Sequence, residues 1–170
     1  MPRRKSSAAA IRLLILDVDG VLTDGRVYYG ARGEQLQGFN IKDGHGLKSL
    51  AHVGIDVAVI SGRRSAAVKR RCRELAIRHV VQGSRDKVRD FRALTAKLGV
   101  TPAQCAFIGD DSPDVSLLRE VGLAFAVADA HPSACAAAHH VTRLGGGCGA
   151  VREVCDRLLA AHGARHGRGH

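Results

Sequence analysis

Asp17 and Asp19 stand one residue apart where an apolar run ends, in LLILDVDGVLTDG at residues 13–25, and Asp24 follows. A second acidic set, Asp110, Asp111 and Asp114, lies in GDDSPD after the apolar piece CAFI. Like charges this close repel, and burying them is unfavourable without compensation. If both sets meet at one edge of a sheet, a cation among them resolves the conflict. Hard oxygen donors with no neighbouring His/Cys cluster favour Mg²⁺. An aspartate held by such an ion is also a nucleophile for phosphorus.

Phosphate-monoester hydrolysis needs up to ~10²¹-fold acceleration, roughly 28 kcal/mol. Positioning supplies about 7–11 kcal/mol of that. A nucleophile, a cation and fixed donors must therefore act together. Ser61-Gly62-Arg63 follows the apolar IDVAVI, where a hydroxyl and backbone amides can hold phosphoryl oxygens. Lys87 opens a helical stretch after Gly83 and Asp86 and can reach the same edge. Each part alone is ordinary: Ser-Gly after a strand is a turn, a lone lysine is a surface residue, and GDDSPD is a capped helix start with Pro113 in its first turn. The informative feature is the ordered set, each member at a strand end.

The elements that must position this set follow from the apolar pattern. Residues 11–16, 55–60 and 105–108 are apolar at nearly every position, as in strands of a parallel sheet covered on both faces. Short pieces at 79–81 and 123–127 add outer strands. Helical patterns lie between them at 44–52, 64–75, 87–98 and 113–121, with a last helix over 150–161. Strands alternating with helices predict an α/β fold, a doubly wound parallel sheet, whose sites lie beyond the carboxyl ends of the strands. One segment breaks the alternation. Residues 27–29 and 34–39 flank Gly-Ala-Arg-Gly and predict an inserted β-hairpin within 25–41. With no room elsewhere for a lid domain, the expectation is a single capless domain over 11–162, between basic tails at 1–10 and 163–170.

The chain of 170 residues is 45% hydrophobic, enough for one full core. Its formal charge is +10, and half of that comes from Arg3, Arg4, Lys5, Arg165 and Arg168 in the expected tails. The remainder can attract an anionic substrate. With no Trp and few aromatics, stacking on nucleobases has little to work with. Cys72, Cys105, Cys135, Cys148 and Cys155 form no CxxC pair, which argues against a zinc site or a disulfide framework and fits a reduced, cytoplasmic setting. The start resembles a signal peptide, but Arg12 and Asp17 interrupt its apolar stretch. No window approaches 18 apolar residues, so no membrane span is expected.

These residues resemble the haloacid dehalogenase superfamily of phosphotransferases: DVDGVLTDG its first motif, Ser61 its second, Lys87 its third and GDDSPD its fourth. FNIKDGHGLKSL, VISGRR, AVADAHP and VTRLGGGCGAVREVCDRLL further resemble the 3-deoxy-D-manno-octulosonate 8-phosphate phosphatase family within it, over about residues 11–159. The resemblance implies that Asp17 attacks phosphorus to form an aspartyl-phosphate and that Asp19 protonates the leaving alkoxide, then activates water. Asp17, the Asp19 carbonyl and Asp110 hold Mg²⁺, Asp111 and Asp114 orient its waters and Lys87, and Ser61 and Lys87 bind the transferring phosphoryl. It implies a homotetramer through hairpin 25–41 and a sugar acid touched by Asn40, Lys42, Asp43, His45, Arg63 and Arg143. It also implies that GGGCGAVRE reaches a neighbour's site and closes over substrate; the plainer alternative is a loop before the last helix. Cys148 stands where the family usually has Arg, leaving Arg143 or Arg152 to supply charge.

Three rival readings differ in what they require. A nine-carbon sialic-type 9-phosphate needs only a different sugar pocket. A phospho-receiver domain shares the acidic pocket and lysine but has no use for the acid Asp19. Nucleic acid is suggested by residues 63–73, with six bases and no acid, though a solvated helix face explains them equally; nucleic acid and membrane are not expected partners.

Overall fold

The computed structural model describes residues 5–33 and 35–166. Arg3, Arg4, Glu34 and Arg168 lie outside these.

Strand β1 (Leu13–Leu16) is the centre of the molecule, and all four of its residues are fully buried. Side chains along a strand alternate between faces. Leu14 and Leu16 accordingly enter one core, while Leu13 and Ile15 enter the other. This is why the run shows no polar residue. Parallel neighbours flank it: β4 (Asp56–Ser61) on one side and β6 (Cys105–Gly109) on the other. Outside them lie β5 (His79–Gln82), then β7 (Leu123–Ala126) and β8 (His140–Val141) on the opposite edge. The order β5-β4-β1-β6-β7-β8 is parallel throughout. The chain winds outward from β1 to β5 and then returns to β6, so the topology reverses beside β1, where sites form in such sheets.

Helices α1 (Ile41–Leu50), α2 (Ala66–Glu74) and α6 (Ala150–His166) cover one face. Helices α3 (Lys87–Leu98), α4 (Val115–Glu120) and α5 (Pro132–Ala137) cover the other. The buried side of α6, Val151, Val154, Cys155 and Leu158, has helical spacing and packs with Leu47 and Leu50 of α1. Strand ends and helix starts are fixed by side-chain caps. Asn40 accepts from the amides of Lys42 and Asp43, Ser65 from Val68, and Asp86 from Arg89.

The doubly wound α/β expectation holds. Strands and helices fall within a few residues of their expected positions, and α3 matches 87–98. α5 and β8 were not expected. Helix α6 continues through His166, so the boundary expected at 162/163 falls inside it. The N-terminal boundary shifts as well: Ala8–Ala10 form a 3-10 turn and the Ser6 amide donates to the Gly122 carbonyl at 2.9 Å, so this part of the expected tail is docked. The hairpin is present but short, as β2 (Tyr28–Tyr29) and β3 (Gln35–Leu36) paired antiparallel. All five cysteines are free, and Cys148 is exposed. Among the described residues no helix is long and apolar enough to cross a membrane.

Candidate active site

The ladder of β1 runs one residue beyond the strand. The Asp17 amide donates to the Ile108 carbonyl at 3.0 Å, which fixes Asp17 at the switch between β1 and β6. Its carboxylate then accepts from the Val18 amide at 2.7 Å through Oδ1 and from Lys87 Nζ at 3.1 Å through Oδ2. The following loop folds on itself. The Val21, Leu22 and Thr23 amides converge on the Val18 carbonyl, and Thr23 Oγ1 accepts from the Gly20 and Gly25 amides. Gly20 adopts φ +82°, and a Cβ there would collide with the Asp110 carboxylate. Glycine is therefore what lets the β1 and β6 acidic loops close on each other. Asp24 takes no part; it is exposed and accepts from the Arg26 amide.

The other loops converge on the same edge. Asp114 is fully buried and holds three partners: the Asp110 amide at 2.9 Å and the Asp111 amide at 3.3 Å on Oδ2, and Lys87 Nζ at 2.6 Å on Oδ1. Lys87 is thus clamped between Asp114 and Asp17. Asp111 caps the short turn that follows it, accepting from the Ser112 amide at 2.6 Å. Ser61, at the end of β4, is 2% exposed. Asp17, Asp19, Ser61, Arg63, Lys87, Asp110, Asp111 and Asp114 line one cavity of about 350 Å³.

Lys87 and Arg63 only partly offset the five carboxylates of this cavity. Burial, and then the Asp114 charge, push the Asp17 carboxyl up to about 7, against the pull of Lys87 and the Val18 amide. Burial, Asp17 and Asp114 push Asp110 up to about 8. Burial alone would lower the Lys87 ammonium's pKa, but Asp17 and Asp114 outweigh it and hold the pKa above the ordinary lysine value. Carboxylate oxygens of Asp17, Asp110 and Asp114 lie within 4.8 Å of one another. Asp114 is fully buried with both oxygens committed to Lys87 and backbone amides, while Asp17, 8% exposed, and the half-buried Asp110 are the less enclosed members of the group. An all-oxygen donor set with excess negative charge fits a hard divalent ion.

Asp19 is held by groups that no motif marked. Gln37 Nε2 donates to its Oδ1 at 2.7 Å, and Gln37 Oε1 accepts from Ser65 Oγ at 2.7 Å. Arg63 Nη1 lies 3.4 Å from the same Asp19 oxygen, and Arg63 Nη2 donates to Gln35 Oε1 at 3.4 Å. Gln35, though exposed, and the half-buried Gln37 lie on the side of Arg63 and Asp19, while Leu36 points the other way, 63% exposed. The alternation Gln-Leu-Gln was the available signal.

The remaining residues of interest lie elsewhere in the single chain. Lys42 and His45 are exposed on the first turns of α1. Asn40 caps that helix and donates through Nδ2 to the Gly147 carbonyl at 3.3 Å. Asp43 is 1% exposed and its Oδ1 accepts from the Arg152 amide at 2.8 Å. Burial raises its pKa against the pull of the Arg152 and Gly149 amides. Arg143 is exposed beside a separate cavity of about 510 Å³ that also includes Leu144, Arg152 and Arg157. None of Asn40, Lys42, Asp43, His45 and Arg143 lines the carboxylate cavity. Residues 145–149 pack against the Gly20–Asp24 loop of their own chain and lead into α6, because Gly146 and Gly147 lie too close to that loop for any side chain.

A parallel sheet with DxD after its first strand, and with serine, lysine and acidic loops gathered at the same edge, defines a haloacid dehalogenase-like hydrolase, and a family profile of that description matches residues 76–145. The chain is a phosphomonoester hydrolase of this type. It is 51% identical over 154 residues to 3-deoxy-D-manno-octulosonate 8-phosphate phosphatase KdsC of Yersinia pestis, covering 91% of this chain and 82% of that protein. The Escherichia coli K12 KdsC is 49% identical over 158 residues, covering 93% and 84%. The chain belongs to the 3-deoxy-D-manno-octulosonate 8-phosphate phosphatase family. Among solved structures, the Moraxella catarrhalis phosphatase in complex with magnesium, phosphate and a KDO molecule superposes with TM-score 0.91 at 42% identity, covering 94% of this chain and 92% of that one. The cobalt-bound Haemophilus influenzae phosphatase gives TM-score 0.89 at 41% identity, covering 96% and 95%.

Proposed function

We propose that this chain hydrolyses 3-deoxy-D-manno-octulosonate 8-phosphate to the free sugar acid and phosphate, in the cytoplasm, for lipopolysaccharide biosynthesis. The observation that carries the chemistry is the inequality of the two aspartates. Asp17 is buried against Lys87, aimed into the cavity as a nucleophile. Asp19, held by Gln37 and Arg63, stands where an acid can serve the leaving group. Asp17 displaces the sugar alkoxide from phosphorus: the Asp17 O–P bond forms, the ester P–O bond breaks, and the alkoxide takes its proton from Asp19. Asp19, now a base, removes a proton from water as it attacks the aspartyl-phosphate, releasing phosphate and restoring Asp17. Lys87 and Ser61 hold the phosphoryl oxygens. Asp17 and Asp110, with the Asp19 carbonyl, would hold Mg²⁺, which when bound neutralises the paired carboxylates and stabilises charge on the phosphoryl oxygens.

The eight-carbon sugar acid is favoured by the relatives at 49–51% identity that bear its name. Exposed Tyr28, Tyr29 and Leu36, at 53%, 67% and 63%, support a homotetramer through the hairpin. Phosphate release across a panel of sugar-acid phosphates, with Mg²⁺ and with chelator, tests the assignment. The eight-carbon 8-phosphate is expected to be turned over only with Mg²⁺, and Asp17→Asn is expected to abolish turnover. Release from a nine-carbon 9-phosphate but not from the eight-carbon ester overturns the choice of substrate, and a single stoichiometric phosphorylation without turnover overturns the hydrolytic scheme.

A further inference from the structure

We propose that Asn40 and Asp43 are positioning residues that hold the Asp17–Asp24 loop in its reactive shape through the glycine segment 145–149, rather than contacts to the sugar. The acidic loop is one layer of a backbone stack. On its inner side Gly20 lies against the Asp110 carboxylate with no room for a Cβ. On its outer side Gly146 lies against the Gly20 carbonyl, again with no room for a Cβ, and the Gly147 amide donates to the Val21 carbonyl at 3.0 Å. Gly147 has φ +68°, a conformation that glycine adopts without strain. The segment therefore backs the loop that carries Asp17 and Asp19.

Three side chains hold the segment in place. Asp129 Oδ1 accepts from the Gly146 amide at 2.9 Å. Asn40 uses both ends of its amide: Oδ1 caps α1 by accepting from the Lys42 amide at 2.8 Å, while Nδ2 donates to the Gly147 carbonyl. Asp43 accepts from the Arg152 amide in the first turn of α6, which ties the far end of the segment to α1 and satisfies an otherwise free helix donor. At 1% exposure the Asp43 carboxylate is closed to a sugar. A 1 Å drift of a reactive loop can lower a rate by roughly 100-fold, so loosening this support acts on chemistry rather than on sugar affinity.

Asn40→Asp separates the two roles, because aspartate still caps α1 but sets a carboxylate oxygen against the Gly147 carbonyl. The kinetic part of the test rests on the phosphatase reading, and the exchange part does not. The variant is expected to lose roughly 10–100-fold in kcat on both the sugar-acid phosphate and 4-nitrophenyl phosphate, with little change in KM. Hydrogen exchange is expected to quicken at residues 18–23 while the amides of β1, β4 and β6 stay as protected as in the parent. Asp43→Ala is expected to behave likewise, and Asp43→Asn, which can still accept from the Arg152 amide, to recover most of the loss. Unchanged exchange at 18–23 together with a loss confined to the KM of the sugar-acid phosphate overturns the proposal and makes Asn40 a sugar contact. If the parent turns over neither ester, the phosphatase scheme fails while the exchange comparison still decides the support role.

Discussion

Asp17 and Asp110 share a site built for more positive charge than the chain itself supplies. Lys87 is the nearest cation, and it is divided between Asp17 and Asp114 at 3.1 and 2.6 Å. Burial, and then the neighbouring carboxylates, push the two carboxyls up to about 7 and about 8, against 3.8 for a free aspartate. Between about pH 4 and about pH 8 the metal-free folded chain keeps protons that the unfolded chain has released, so its stability falls as pH rises through that window. A divalent ion must displace those protons, so its stabilisation runs the other way and grows with pH. Thermal unfolding with chelator and with saturating Mg²⁺ at about pH 5 and about pH 8 checks this. The expected result is a small Mg²⁺ shift in Tm at the lower pH and a larger one at the higher. Equal shifts at both would mean that Asp17 and Asp110 do not hold the ion. Asp114 also shows why an acidic motif is hard to divide from sequence. All three acids of GDDSPD are equivalent in spacing arguments, and only burial and committed hydrogen bonds separate the Lys87 clamp, Asp114, from Asp110, the acid proposed to face the ion.

At the scale of the elements, α6 joins the core to the site. Its first turn receives the Asp43 carboxylate, and its inner face fills the core beside α1. Leu158 is fully buried there, two turns from the glycine segment. Leu158→Ala is expected to destabilise the fold by about 2–5 kcal/mol through lost burial and the cavity left behind. For a domain of this size Tm should fall by roughly 2–4 °C per kcal/mol, read by calorimetry. A shift below about 2 °C would mean that α6 contributes little to the core. The same packing explains which elements were legible. β1, β6 and the inner residues 58–60 of β4 are buried on both faces, so they are apolar and the sequence shows them openly. α3 carries an apolar stripe between an Asp86 cap and Gly99 at φ +65°, and its limits could be read to the residue. α5 and β8 have six and two residues, are rich in alanine and histidine, and carry no periodic signal. The motifs placed Asp17, Asp19, Ser61, Lys87 and Asp110 at one edge correctly, because strand ends in a parallel sheet must share it. They missed Gln37, whose role depends on where a two-residue strand folds back. They also gave no hint that Asp43 faces α6, since a buried helix cap and a substrate contact look alike in a string of letters.

For the whole molecule, the hairpin is where the proposed assembly would meet the proposed chemistry. β2 and β3 have two residues each, and an isolated pair of short strands is marginally stable in water. Tyr28 and Leu36, paired across the strands on one face, are the exposed apolar surface that the proposed tetramer would bury, while Tyr29 lies opposite Gln35. Gln35 and, just past β3, Gln37 reach Arg63 and Asp19 from the other face. If the proposed tetramer steadies the hairpin, releasing it would also loosen Asp19, the proposed acid for the leaving group. Sedimentation of the parent is expected to give about four times the chain mass of 18.0 kDa. Tyr28→Ser combined with Leu36→Ser is expected to move the mass toward the single chain, because the apolar side chains of that face are lost while the Gln35 face is untouched. Specific activity of this double variant should fall with its mass. Dilution of the parent should lower specific activity over the same concentration range in which the tetramer dissociates. The loss should lie in kcat, since Asp17, Lys87 and the acidic loops are held within one chain. A parent that sediments as a single chain, or a dissociated variant with the parent's kcat, would separate the hairpin from the chemistry and leave Asp19 to be positioned by Arg63 alone.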